Sequence, residues 1–249
     1  MTASVIKLEL NENVEHFDWT HVRAVYRKLH SDFHVLTKPF GIPISHELNG
    51  DLAHLIAALD VVDRELDEIE EFNRRKSFGE ALIGYLRGKF SVVAYEPAPA
   101  ELVTRMHSLR NIIVRREIQS EFCDTVATIL KHTEAKRQTN DKCQMIRHLV
   151  TEWRSTGHLT ILLLGKQSTK KFEEFFYLAC EMMPAIDTIQ DARSDYRKGQ
   201  IKIRPGLGLY AKLFLVFVFP LPKLLCLFPA RWSLFKYGVS FLLEGVTRR

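Results

Sequence analysis

Two columns of aspartates, far apart in the chain and each written at helical spacing, restrict the fold more than anything else in this sequence. Asp187, Asp191 and Asp195 recur at i, i+4 and i+8. Each step of four residues turns an α-helix by about 400°, so the three drift by only about 80° and share a face. Asp60, Asp63 and Asp67 stand at i, i+3 and i+7, within about 60° of one face. Like charges stacked this way weaken an isolated helix by roughly 0.2–0.5 kcal/mol per pair. The columns lie 127 residues apart, from 60 to 187, too far to be one local acidic run. They read as two helices that turn carboxylates toward a shared partner. A divalent cation is the simplest one. Mg2+ takes hard oxygen ligands in near-octahedral geometry, with one or two carboxylates per ion and waters or phosphate oxygens completing the shell. The bland alternative is a pair of solvated acidic faces, the second one beside Arg193, Arg197 and Lys198.

The rest of the chain predicts an all-α protein, a single helical bundle. Apolar residues make up 46% of the 249, enough for one sizeable core. Asp18 is placed to cap a helix over 19–32, and a long helix over 49–74 carries the first column. Ser77-x-x-Glu80 is a capping-box pattern for a short helix ending at Gly88. Residues 90–95 suit a brief extended piece. Helix is expected over 100–136 with a break near Ser120, then a polar connection over 136–141. It resumes over 142–164 up to Gly165, and again from a Ser168 or Thr169 cap to Lys198. Pro184 falls inside that last helix, where it removes a backbone hydrogen bond and favours a kink just before Asp187.

Residues 1–205 are expected to form the helical domain. Residues 206–249 change character, with an unbroken apolar run over 213–219 interrupted by Pro220, Pro222 and Lys223. Ten residues between Lys212 and Lys223 fall short of the roughly 20 a spanning helix needs. The segment therefore reads as packed on the bundle or lying on a membrane surface. The expected location is the cytoplasm, with peripheral membrane contact through this segment. Residues 1–14 contain Lys7, Glu9 and Glu12 and no apolar run, so no signal peptide is read there. Four cysteines without CxxC or CxxH spacing imply free thiols and no zinc site. A net charge of +5 spread along the chain fits an anionic ligand and does not point to nucleic acid.

Both columns have apolar residues on their N-terminal side, at 55–59 and at Phe175, Phe176, Leu178, Met182 and Met183. Two such helices side by side make an apolar floor with a carboxylate mouth. That shape suits a substrate with an anionic head and a hydrocarbon tail. The pairing Asp60-x-x-Asp63-x-x-x-Asp67 with Asp187-x-x-x-Asp191-x-x-x-Asp195 resembles the aspartate-rich motifs of class I isoprenoid synthases. It is most similar to the squalene and phytoene synthase-like branch and the bacterial large-terpene synthases. The resemblance covers two stretches of about ten residues. It implies an α-bundle of isoprenoid synthase type around a central apolar cavity. It also implies Mg2+ bound by all six aspartates, catalysis through Asp60, Asp63 and Asp187, and an isoprenyl diphosphate substrate that is ionised to a carbocation. The first motif is also similar to that of UbiA-type intramembrane prenyltransferases, with Leu59 where they carry Asn.

Arg197 and Lys198 follow the second column directly and are candidates for the leaving diphosphate, as is Arg110. Phe176 and Met183 are candidates for the hydrocarbon. Arg105, Arg110, Arg115 and Arg116 also suit a solvated basic face. His30 and His34 read as a surface pair. A class of its own is a non-catalytic helical protein that docks on membranes through 206–246. Zinc-protease, nucleophile-elbow and phosphate-loop motifs are missing from the sequence.

Overall fold

The computed structural model describes residues 17–89 and 99–230. Their regular structure is all helical, with no strand among the described residues, in agreement with the all-α expectation. The extended piece expected over 90–95 lies outside the described residues.

The first helices begin and end where side chains satisfy their free backbone groups. Helix α1 (Ala24–Thr37) starts later than expected, because the Asp18 carboxylate is used by the Thr20 N–H at 2.9 Å. Helix α2 (His46–Glu68) starts earlier, where Ser45 caps the Leu48 N–H at 3.2 Å. It stops because Ile69 turns extended and is buried in the core. The Arg75 guanidinium donates to the carbonyls of Ile69 and Glu70, at 2.8 and 2.7 Å, and pairs with Glu134. Helix α3 (Phe72–Leu86) therefore already runs through Ser77, whose capping pattern goes unused. Helix α4 (Ala100–Arg115) ends on Glu117 at φ 59, with the Ile118 N–H bonded back to the Ile113 carbonyl at 3.0 Å.

Helix α5 (Gln119–Gln138) takes in Lys136 and Arg137, which the sequence placed in a connection. Helix α6 (Lys142–Leu164) matches its expected limits, from the Asp141 cap to Gly165 at φ 52. Helix α7 (Lys170–Arg197) is capped by Thr169, continues through the buried Pro184 and ends at Gly199, φ 72. Helices α8 (Leu207–Val218) and α9 (Leu221–Leu227) follow, parted at Phe219 and Pro220.

Packing divides between two apolar clusters that α6 and α7 bridge. The larger joins α1–α5 to the C-terminal half of α6 and the N-terminal half of α7, around Phe33, Phe122, Phe172 and Phe175. The smaller joins Met145, Ile146 and Leu149 of α6 to Ala185 and Ala192 of α7 and to Leu209 and Leu213 of α8. Burying a side chain of this size contributes about 1.5–3 kcal/mol. Where α6 crosses α7, a Cβ on Gly157 would lie 2.6 Å from Cys180 Sγ. This glycine costs about 1 kcal/mol of helix propensity and permits the close approach. Gly157→Ala is expected to destabilise the protein by about 1–3 kcal/mol, a fall of roughly 3–10 °C in Tm by calorimetry. An unchanged Tm would show that the two helices have room to part.

Three of the four arginines read as a solvated basic face make specific contacts instead, although Arg115 itself stays exposed. Asp51, nearly fully buried, receives Arg115 and Arg116 at 2.6 Å each, and Arg116 also reaches the Leu163 carbonyl at 3.1 Å. Arg105 donates to the Asp18 carbonyl at 2.9 Å. His30 and His34 are not a free surface pair either. They bond the carbonyl and side-chain oxygens of Asn49 at 3.3 and 2.6 Å. Burial pushes His30 down to about 4.

Candidate acidic cleft

The two aspartate columns lie within electrostatic reach of each other. Asp187 feels the charge of Asp63, and Asp195 feels that of Asp67. The two pairs run in the same chain order along α2 and α7. Helix α6 packs against both, and α5 delivers cations from its C-terminal end.

The first column is neutralised by the protein itself. Asp60 is completely buried. The Arg23 backbone N–H donates to its Oδ2 at 3.1 Å, and Arg23 Nε donates to its Oδ1. Arg23 Nη2 reaches on to Asp63 Oδ2 at 2.6 Å, and its guanidinium stands 4.9 Å over the Tyr26 ring. Burial, then the Asp63 charge, holds the Tyr26 phenol neutral by raising its pKa. Arg64 lies 3.7 Å from Asp60. Asp67 receives Arg137 Nη2 at 2.7 Å, yet desolvation and Asp63 still push its carboxyl up.

The second column has no such partners. Among the described residues no hydrogen bond or ion pair reaches the carboxylates of Asp187, Asp191 or Asp195. Desolvation, then Asp191, Asp195 and Asp63, push Asp187 up to about 6, with only Lys136 opposing. Desolvation, then Asp191 and Asp67, raise Asp195 against Lys136 and Lys198. Solvent reaches Asp187, yet protein surrounds its carboxylate. The protein around the carboxylate, rather than the accessibility of the residue as a whole, governs the charge. Lys136 Nζ pairs with Glu152 at 2.8 Å, so its charge is shared three ways.

The other candidates scatter. Arg197 is exposed and bonds the Arg193 carbonyl at 3.2 Å; Lys198 is exposed beside it at the end of α7. Arg110 lies 5.2 Å from the Tyr85 ring, on the α3 side of α4 and away from the columns. Phe176 stacks on Phe172 at 5.4 Å and meets Phe33 edge-on, inside the larger core. Met183 is half-buried on α7. A separate groove of about 650 Å³, lined by Glu121, Arg154, His158 and Tyr177, borders the middle of α6 and contains none of the six aspartates. The residues that sequence reading missed are Arg23, Lys136 and Arg137. Only their proximity to an aspartate column in the folded chain marks them.

Six hard carboxylates with an excess of negative charge fit Mg2+ chemically. Among the described residues, no three His, Cys, Asp or Glu side chains converge closely enough to hold an ion as they stand. Comparison with protein-family models, with curated proteins and with solved structures finds no match.

A pH signature follows from Asp187. Its folded pKa is raised from 3.8 to about 6, so the native state binds the proton more tightly than the unfolded chain does. The resulting penalty is absent below about pH 4, grows through pH 4–6 and is full above pH 6. In EDTA, Tm of the protein is expected to fall across that window relative to Asp187→Asn. Saturating Mg2+ should recover several degrees at pH 7.5 and little at pH 5, where protons compete. Parallel Tm curves for the two proteins would refute this.

Proposed function

We propose that this protein is a Mg2+-dependent enzyme that ionises an isoprenyl diphosphate, a terpene synthase or prenyltransferase of the class I type. The observation that carries the reading is the second column: three carboxylates within electrostatic reach of the first column, with no hydrogen bond or ion pair to a cation among the described residues. Bound Mg2+ would neutralise this charge and stabilise the diphosphate as it leaves. Arg23, Lys136 and Arg137 ring the cleft and would supply fixed positive charge to the same oxygens, with Arg197 and Lys198 at its edge. The apolar side of α7 around Met183 would shield the allylic cation from water.

An intramembrane prenyltransferase has less support. Among the described residues, no helix between the columns is long and apolar enough to cross a bilayer; 207–227 is the only such stretch. The test is incubation with geranyl, farnesyl and geranylgeranyl diphosphate, with products read by mass spectrometry. Pyrophosphate plus a prenyl-derived product, lost in EDTA, is the expected result. Recovery of every substrate intact in the presence of Mg2+ would overturn the reading.

A further inference from the structure

We infer that α8 and α9 lie flat on an anionic phospholipid bilayer, with the outer face of α8 in the lipid. The inference stands independently of the diphosphate reading. Leu207, Phe214, Leu215 and Val218 fall on one stripe of α8 at spacings of three and four, and Phe219 continues it. These five are exposed, Leu207 by 89%, Phe219 by 77% and Phe214 by 57%. Monomeric soluble proteins rarely leave so contiguous an apolar patch open to water, and bulky residues on it mark an interaction surface.

Charge identifies the occupant. Between Asp195 and Glu244 the chain has eight Lys and Arg and no acidic residue. Lys202 and Arg204 are exposed just before the patch, and Lys212 and Lys223 are exposed along it. An apolar stripe flanked by the cations Lys202, Arg204 and Lys212, and by Lys223 paired with Glu174, matches a surface with acyl chains beneath negative headgroups. Each Lys or Arg near such a surface contributes about 1 kcal/mol.

The other face of the segment is already occupied, which is why it lies on the bilayer instead of crossing it. The stretch Leu207–Leu227 has the length and hydropathy for a span, 21 residues at 1.8. But Leu209 and Leu213 are fully buried against α6 and α7, and Leu224 and Phe228 are buried in the larger core. Lys212 reaches Cys143 at 3.2 Å and Lys223 pairs with Glu174 at 2.7 Å. A span would have to strip these contacts and bury both lysines in hydrocarbon.

The test is flotation of the full chain with vesicles of phosphatidylcholine alone or with about one third phosphatidylglycerol. Binding is expected to the anionic vesicles only, and to fall at least tenfold in 1 M NaCl. Phe214→Glu with Phe219→Glu should cut it at least tenfold at unchanged helicity, since both side chains are exposed. Lys202→Glu with Arg204→Glu should weaken it severalfold. No binding by the wild-type chain would overturn the inference. So would a concentration-dependent dimer abolished by Phe214→Glu, which would assign the patch to a second copy. Resistance of vesicle-bound protein to alkaline carbonate would also overturn it, in favour of a span.

Discussion

Asp187→Asn is expected to lower Mg2+-dependent turnover by about a thousandfold while raising the Tm of the metal-free protein. The substitution keeps size and shape and removes one charge. No hydrogen bond or ion pair is lost, because among the described residues none reaches this carboxylate. The charge it removes is the one held up to about 6 by desolvation and by Asp191, Asp195 and Asp63. Metal-free protein is therefore relieved of a repulsion, and the holoprotein loses a ligand that stabilises charge developing on the diphosphate. Such opposition between stability and activity is common at functional sites. Steady-state kinetics in Mg2+ and calorimetry in EDTA read the two halves separately. A variant that loses activity and also loses stability would make Asp187 a structural residue.

Asp60→Ala is expected to fail in the other direction, by unfolding. The side chain is fully buried and anchors both the backbone N–H and the guanidinium of Arg23. Its removal leaves a cavity and cations without their partner, at a cost of about 3 kcal/mol, or roughly 6–12 °C in Tm. Arg23 and Arg64 are partly exposed and can turn to water, which keeps the loss at the lower end for a broken buried pair. Asp63→Ala serves as the contrast. Its carboxylate is about half exposed, so activity should fall with little change in Tm. Equal Tm losses for the two variants would contradict the assignment of Asp60 as the anchor of the N-terminal segment and Asp63 as a wall of the cleft.

These contrasts show where sequence reading reaches and where it stops. The helical spacing of each column is a local property, and both columns fall on helices as expected. The end of α6 was legible because Gly165 is a strong local signal, and its start because the polar connection closes at Asp141. The start of α3 was not, because Ser77 carries a capping pattern that the chain never needs once Ile69 has ended α2. What neutralises each column was not legible at all. Arg23 and Asp60 are 37 residues apart, and Arg137 and Asp67 are 70 apart. Nothing in local periodicity distinguishes those arginines from Arg110, which stacks on Tyr85 instead. The six aspartates look alike in the sequence. Packing makes one a buried anchor, gives two of them arginine partners, and leaves three unpaired among the described residues.

The central claim is that the two columns form one cation site, and Mn2+ binding followed by electron paramagnetic resonance tests it most directly. Wild-type protein, Asp63→Asn and Asp191→Asn should be titrated side by side. Saturable binding by the wild type, weakened at least tenfold by either substitution, is the result expected if both helices contribute ligands. Binding by Asp63→Asn as tight as the wild type's, or no saturable binding by the wild type, would contradict a shared site.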